Sequence, residues 1–377
     1  MRVGKTPSAI RLACSRAKTA LVICPKSLVT QWQREIETWR EGDCEFYVYS
    51  KEQFKKHVKE IKGCEAVIID ESHLAFSNFK NQMFKTLISY IKVHDPKFIW
   101  LLTGTPYTSS SWSIYSYGLL LGKAWNWYKW NRHFFYQVRM GHRVVPQPRE
   151  DRDKELQDII RSLGIVIDLK DVADVPDDEE TLEYFSLGAE QKRLIKENFD
   201  PLPIVRFTKE HQLEQGVLKS DGYTDTVSFS TEKDTRIKEL VEQTEKVIIV
   251  CRYLDQITKL KELLTPTGRK VYEISGRVKE TAGDIAMRAE TDPSAIVIVQ
   301  SATGVGYSLK SFDTMIFASM DFSYVNYEQM RSRMKAMEKT AGCTYIHLLT
   351  EGDSIDQAVY DAVKEKRDFS IELFKKK

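Results

Sequence analysis

Two adjacent carboxylates, Asp70 and Glu71, follow the apolar run Val67-Ile68-Ile69 and precede Ser72 and His73. An unbroken apolar run of this kind reads as a parallel strand buried on both faces. Its charged residues then project past the carboxyl end, where open α/β sheets place their ligands. One carboxylate there can hold Mg²⁺ through its water shell, and the next can orient and deprotonate an attacking water. That is the chemistry of nucleotide hydrolysis. A strand ending in a solvated acidic turn would have the same spelling. A second group decides between them. Gly4-Lys5-Thr6 precedes a helix-like stretch, Pro7 to Lys18, and Gly-Lys-Thr ahead of a helix is the back half of a phosphate-binding loop. The glycine lets backbone amides approach the phosphates, the lysine reaches the β/γ oxygens, and the threonine hydroxyl meets Mg²⁺. The helix N-terminus adds favourable potential for an anion.

These groups need a sheet to position them, and the chain alternates accordingly. Strands are predicted at Ala20–Cys24, Phe46–Tyr49, Ala66–Ile69 and Phe98–Leu102, with helices at Leu28–Trp39, Lys51–Ile61 and Met83–Ile91. Such alternation implies a parallel sheet with helices on both faces. From Tyr107 to about Arg161 the pattern turns aromatic, with Trp112, Trp125, Trp127, Trp130, Phe134 and Phe135. A base-stacking platform would use such residues, but a helical layer packed on the sheet is favoured, because aromatics dominate cores. The acidic stretch Asp174–Glu180 reads as a linker and Lys209–Asp225 as a polar surface loop. A second alternating unit follows, with strands at Val247–Cys251, Lys270–Ile274, Ala295–Val299, Met315–Ala318 and Thr344–Leu349, and helices at Lys233–Gln243, Leu254–Leu264, Asn326–Lys335 and Ile355–Lys366.

A length of 377 residues suits two domains. The net charge of +2 means that a nucleic-acid site must be a local basic patch rather than a global field. The six cysteines, Cys14, Cys24, Cys44, Cys64, Cys251 and Cys343, are scattered and several sit in apolar runs. They read as buried free thiols in a reducing compartment. No stretch approaches membrane-spanning length and no signal peptide is visible.

The order of segments resembles superfamily-two helicases, in the Swi/Snf-like DNA translocase branch. Gly4-Lys5-Thr6 matches motif I, Cys24-Pro25-Lys26-Ser27-Leu28-Val29-Thr30-Gln31-Trp32 motif Ia, and Asp70-Glu71-Ser72-His73 the DExH box of motif II, with Lys80-Asn81 after it. Leu102-Thr103-Gly104-Thr105-Pro106 matches motif III, Val247–Cys251 motif IV, Gln300–Leu309 motif V, and Gln329-Met330-Arg331-Ser332-Arg333 the start of motif VI. The compact spacing is similar to short phage and bacterial members. The resemblance implies an α/β fold of two RecA-like parallel-sheet lobes, with an ATP cleft between them and a helical aromatic-rich insertion. Residues 1–170 would form the first lobe with the insertion at 107–165, residues 171–230 a linker and surface loop, and residues 231–377 the second lobe.

It also implies roles. ATP and Mg²⁺ are the expected cofactors. Lys5 would bind the β/γ-phosphates, Thr6 and Asp70 would hold Mg²⁺, and Glu71 would activate the attacking water. Gln329 and Arg333 would reach the γ-phosphate. His73, Thr103, Gly104 and Thr105 would couple the ATP site to the DNA site. Pro25, Lys26 and Ser27 would hold a phosphate of DNA, expected to be duplex and bound through its backbone. Gly304 and Gly306 permit close backbone approach to phosphate or to the opposite lobe, with a plain β-turn as the alternative.

Two departures bear on activity. The strand expected ahead of the phosphate loop has no counterpart here, and truncation of the reading frame is the expectation. Motif VI usually carries a second arginine three residues after the first, and Ala336 stands there. An arginine at a γ-phosphate contributes on the order of 10³–10⁵ in rate. Lys335 or Arg331 could replace it, although lysine lacks the bidentate fork. The leading expectation is thus a DNA-dependent ATPase that translocates on duplex DNA, inside a bacterial or phage-infected cell. The alternatives are a non-hydrolysing nucleic-acid clamp and a strand-separating helicase.

Overall fold

Val22, Ile23, Val67 and Ile68 have no solvent exposure, as parallel strands covered on both faces require. They belong to β1 (Thr19–Cys24) and β3 (Ala66–Ile69), which lie side by side with Ala20 opposite Ala66 and Ile23 opposite Ile69. With β2 (Glu45–Ser50) and β4 (Phe98–Leu101) they form a parallel sheet in the order β2-β1-β3-β4. The β4 side chains are only half-buried, and β4 forms one edge. Helices Lys5–Arg16, Val29–Trp39, Lys51–His57 and Gln82–His94 cover the sheet. Its core includes Leu21, Ile23, Phe54, Val67, Ile69, Phe76, Phe84 and Leu87.

The computed structural model describes residues 4–365 except 77, 105–110, 123–125, 141–142, 166, 168–170, 172, 199, 220–225, 304–305 and 337. The chain divides into two units, residues 3–172 and residues 173–377. The first unit also holds the aromatic-rich insertion: helices Ser111–Leu120, Trp127–Phe134 and Asp153–Leu163, and an antiparallel hairpin of β5 (Phe135–Met140) and β6 (Arg143–Pro148). The hairpin was not expected. Trp130, Phe134 and Phe135 pack with Ile114, Tyr115 and Leu156 in a small core. That is the packing layer favoured from sequence, and it removes Trp130 as a base-stacking residue. Trp125 lies outside the described residues.

In the second unit, β7 (Glu179–Phe185), β10 (Val247–Cys251), β11 (Val271–Ile274), β12 (Ile296–Gln300), β13 (Thr314–Phe317) and β14 (Thr344–Thr350) form an all-parallel sheet ordered β11-β12-β10-β13-β14-β7. The short strands β8 (Val217–Lys219) and β9 (Thr226–Ser228) pair separately. This corrects the expected linker and loop at 171–230. Strand β7 completes the sheet edge beside β14, and helices Ala189–Glu197 and Pro203–Glu214 fill much of the span between. His211, Glu214 and Gln215, expected on a surface loop, are buried.

Candidate active site

The carboxyl ends of β1 and β3 carry the candidate chemistry. Asp70 continues β3, and its N–H donates to the Ile23 carbonyl at 2.8 Å. Its carboxylate is buried and doubly held. Trp32 donates its indole N–H to one oxygen at 2.8 Å, and the Glu71 backbone N–H donates to the other at 2.9 Å. Burial pushes the Asp70 carboxyl up, the Glu71 charge adds to this, and the Trp32 bond and the Lys5 ammonium pull it down. The charge of Lys5 is therefore felt at Asp70, which joins motif I to motif II within one unit.

Glu71 has φ +43°, in the left-handed region that a residue with a Cβ rarely adopts. Such a residue costs about 1–2 kcal/mol and persists where surrounding bonds over-determine it. Those bonds are present here. The Glu71 carbonyl accepts from Leu74 N–H at 3.0 Å and from Lys51 Nζ at 3.2 Å, and Ser72 N–H donates to the Leu102 carbonyl at 2.9 Å. The reversal turns the chain directly into the short helix Ser72–Phe76. There the Ser72 hydroxyl and the Tyr117 hydroxyl share a hydrogen bond of 3.0 Å, and Phe76 stacks on the Tyr117 ring.

His73 is buried, with Nδ1 2.9 Å from Thr103 Oγ1 and 3.3 Å from Glu71 Oε2. Burial lowers its pKa to about 3, with the Lys51 and Lys5 charges acting in the same direction. The imidazole is therefore neutral at physiological pH, and its contact with Glu71 is a hydrogen bond rather than an ion pair. Motif II is thus tied to motif III through Thr103. Gly104 follows, and Thr105 lies outside the described residues.

Gly4 caps the helix Lys5–Arg16 in the left-handed region, at φ +74°, and its carbonyl accepts from Ser8 N–H at 3.1 Å. Thr6 stands half-buried in the first turn of that helix. Pro25 leads from β1 into a single turn, Lys26–Leu28, that runs on into the helix Val29–Trp39; Lys26 and Ser27 are exposed while Leu28 is buried. An exposed cation and hydroxyl at a helix start suit an external phosphate. Asn81 caps the helix Gln82–His94, accepting from Phe84 N–H at 2.7 Å and donating to the Ala75 carbonyl at 3.1 Å. Its place in the motif thus has a folding role.

In the second unit Gly306 has φ +93°, and Gly304 lies outside the described residues. The motif VI helix spans Tyr324–Arg331, shorter than expected, so Arg333 and Ala336 lie beyond it. Gln329 is buried. Arg333 donates to the Tyr307 carbonyl at 2.8 Å and lies over the Tyr307 ring, linking motif VI to motif V. Neither candidate substitute for the second arginine stands apart from the unit. Arg331 lies over the Tyr345 ring at 4.3 Å beside Asp178 and Glu180, and Lys335 pairs with Asp178 at 2.8 Å. Ala336 is itself buried.

The model of the helicase conserved C-terminal domain matches residues 232–335. Over that span the chain is similar to the C-terminal domain of helicases. Among curated proteins it is similar to the chromatin-remodeling ATPase INO80 of Debaryomyces hansenii, with 25% identity over 179 residues. That alignment covers 44% of this chain and 13% of the relative, so the chain spans a small part of that protein's length. Among solved structures it is similar to the Sulfolobus solfataricus SWI2/SNF2 ATPase core in complex with dsDNA. Identity there is 19% and the TM-score 0.40, over 100% of this chain and 86% of that one.

Two residues of the candidate site escaped the sequence reading. Trp32 was read only as the end of motif Ia, with no role at the carboxylates. The available signal was its type, because a buried indole N–H seeks an acceptor. Lys51 was read only as a helix start, yet it is 8% exposed. Burial lowers its pKa to about 8 against the raising effects of Glu71 and Asp70. A metal-like group elsewhere belongs to the architecture. His211, Glu214 and Asp356 of the second unit cluster closely enough to hold an ion. All four carboxylate oxygens already accept from protein donors, and Lys233 pairs with Asp356. Both ring nitrogens of His211 are engaged, with Tyr253 and Asp356. The group fastens the helix Pro203–Glu214 to the helix Ile355–Lys364.

Proposed function

We propose that this chain is an ATP-dependent motor that translocates on duplex DNA and grips it mainly through the phosphate backbone. The observation that carries the reading is the motif II turn. There a buried Asp70 lies within the field of Lys5, and a left-handed Glu71 is tied through His73 to Thr103. The donor set fits Mg²⁺, a hard cation that prefers oxygen ligands and keeps several waters. Thr6 and Asp70 would hold it, Lys5 would bind the β/γ-phosphates of ATP, and the metal would supply charge neutralisation at the transferring phosphoryl group. Glu71 would orient the attacking water and accept its proton at the carboxylate. Gln329 and Arg333 would act on the γ-phosphate, with Gly304 and Gly306 approaching through backbone. His73, Thr103, Gly104 and Thr105 would relay the nucleotide state to the DNA contact at Pro25, Lys26 and Ser27. Contacts of that kind make binding sensitive to salt and tolerant of sequence.

A second reading, a clamp that binds nucleic acid without turning ATP over, is favoured by the motif VI region. Ala336 is buried, and Arg331 and Lys335 are engaged within their own unit. ATP hydrolysis measured alone, with single-stranded DNA, with duplex DNA and with RNA separates the readings. Duplex-stimulated turnover, abolished by Lys5→Ala and by Glu71→Gln, is expected of the motor. DNA binding with no hydrolysis under any condition would establish the clamp instead. Displacement of a strand from a duplex would identify a true helicase.

A further inference from the structure

Between Pro96 and Arg149 the chain carries seven lysines and arginines (Lys97, Lys123, Lys129, Arg132, Arg139, Arg143, Arg149) and no aspartate or glutamate. The whole chain has 54 acidic residues in 377 and a net charge of +2, so everything outside this stretch is net negative. The stretch is a local excess of positive charge in a near-neutral protein, most of it in the insertion of the first unit.

The helix of that segment turns its basic residues outward. The helix Trp127–Phe134 buries Trp130 and Phe134 in the insertion core. Tyr128, Lys129 and Arg132 are exposed, and the spacing of three and four residues places them together on the other side. The helix runs straight into β5, and Arg149 N–H donates to the Phe134 carbonyl at 2.9 Å, closing the base of the ribbon. Among the described residues β5 and β6 pair only with one another. Tyr136 is exposed near the base, and the ladder sets Arg139 opposite Val144 and Met140 opposite Arg143.

A two-stranded ribbon is marginally stable by itself, and the sequence of this one holds Arg139 and Arg143 and no acidic residue. The arrangement makes physical sense with a polyanion to neutralise it. A two-stranded ribbon also has the width that a major groove admits. We infer that the helix Trp127–Phe134 and the β5–β6 ribbon form a second nucleic-acid contact, binding the phosphate backbone of duplex DNA separately from Lys26 and Ser27. This inference rests on the DNA-motor reading and deepens it.

The test is duplex binding by fluorescence anisotropy over a series of salt concentrations. The full chain would be compared with Arg139→Gln/Arg143→Gln and with Lys129→Gln/Arg132→Gln. Each neutralised phosphate contact contributes about 0.9 to the slope of log affinity against log salt. Each double variant is therefore expected to lose about 1–2 from that slope, with hydrolysis in the absence of DNA unchanged. The helix pair keeps the test available if the ribbon pair fails to fold. Unchanged slopes in a chain that binds duplex would overturn the inference while leaving the motor reading intact. Failure of the unaltered chain to bind duplex would overturn both.

Discussion

Replacing Lys51 by methionine should change how the stability of the first unit depends on pH. In the fold this lysine titrates at about 8, chiefly because burial disfavours its charge, while in the unfolded chain it returns to about 10.5. Between those values the unfolded chain binds more protons than the folded one, so raising the pH stabilises the fold. The penalty is fully present below pH 8 and is relieved as pH rises towards 10.5. From pH 7 to pH 9.5 the linkage relation gives a gain of about 2 kcal/mol for the wild type. Lys51→Met lacks that gain. The variant also loses the bond to the Glu71 carbonyl, but this is a constant offset. Asp70, Glu71 and Cys24 surround the amine and are present in both proteins. The assay is convenient, since all seven tryptophans fall between Trp32 and Trp130 and so report the first unit alone. Denaturant unfolding followed by tryptophan emission at the two pH values gives the difference directly. A difference between the proteins that stays flat within about 0.5 kcal/mol would refute the reasoning, because the amine would then be solvated in the fold.

Three further outcomes follow from the same geometry. Trp32→Phe removes a charge-assisted hydrogen bond to buried Asp70, so the first unit should lose roughly 1.5–3 kcal/mol, and half-maximal turnover should need several-fold more Mg²⁺; a Mg²⁺ titration and tryptophan-monitored unfolding check both. With the His73 pKa lowered to about 3, the pH–rate profile should show no limb from this residue near 6.5, and a limb there that vanishes in His73→Gln would contradict the assignment. Lys233→Met strips Asp356 of its buried cationic partner and should destabilise the second unit by roughly 3–5 kcal/mol, read by far-ultraviolet circular dichroism during urea unfolding.

The parts of the fold legible in the sequence are those where burial on both faces leaves an unmistakable apolar run. Ala66–Ile69 and Val247–Cys251 were placed to the residue because nothing polar interrupts them. Strand β7 was missed because it reads Glu-Glu-Thr-Leu-Glu-Tyr-Phe. Its charges are answered by distant partners, Glu180 by Lys364 and Glu183 by Arg236, which no local window contains. The helix Pro203–Glu214 was taken partly for a loop for the same reason, since His211 and Glu214 find their partners at Asp356 and its neighbouring amides, more than 140 residues away. At the candidate site the motif residues were singled out by type. The reversal at Glu71 was not, because left-handed backbone at a glutamate is imposed by tertiary bonds and leaves no mark in spelling.

The position of β7 has a consequence for how the protein is made. It is the first strand of its sheet to leave the ribosome, yet its partner β14 is the last, about 160 residues later. At roughly 5–20 residues per second, β7 waits on the order of 10–30 s as an unpaired edge. An apolar strand left open that long would invite pairing with other nascent chains. The glutamates at 179, 180 and 183, which conceal the strand from a hydropathy reading, make it a poor template for aggregation until β14 arrives.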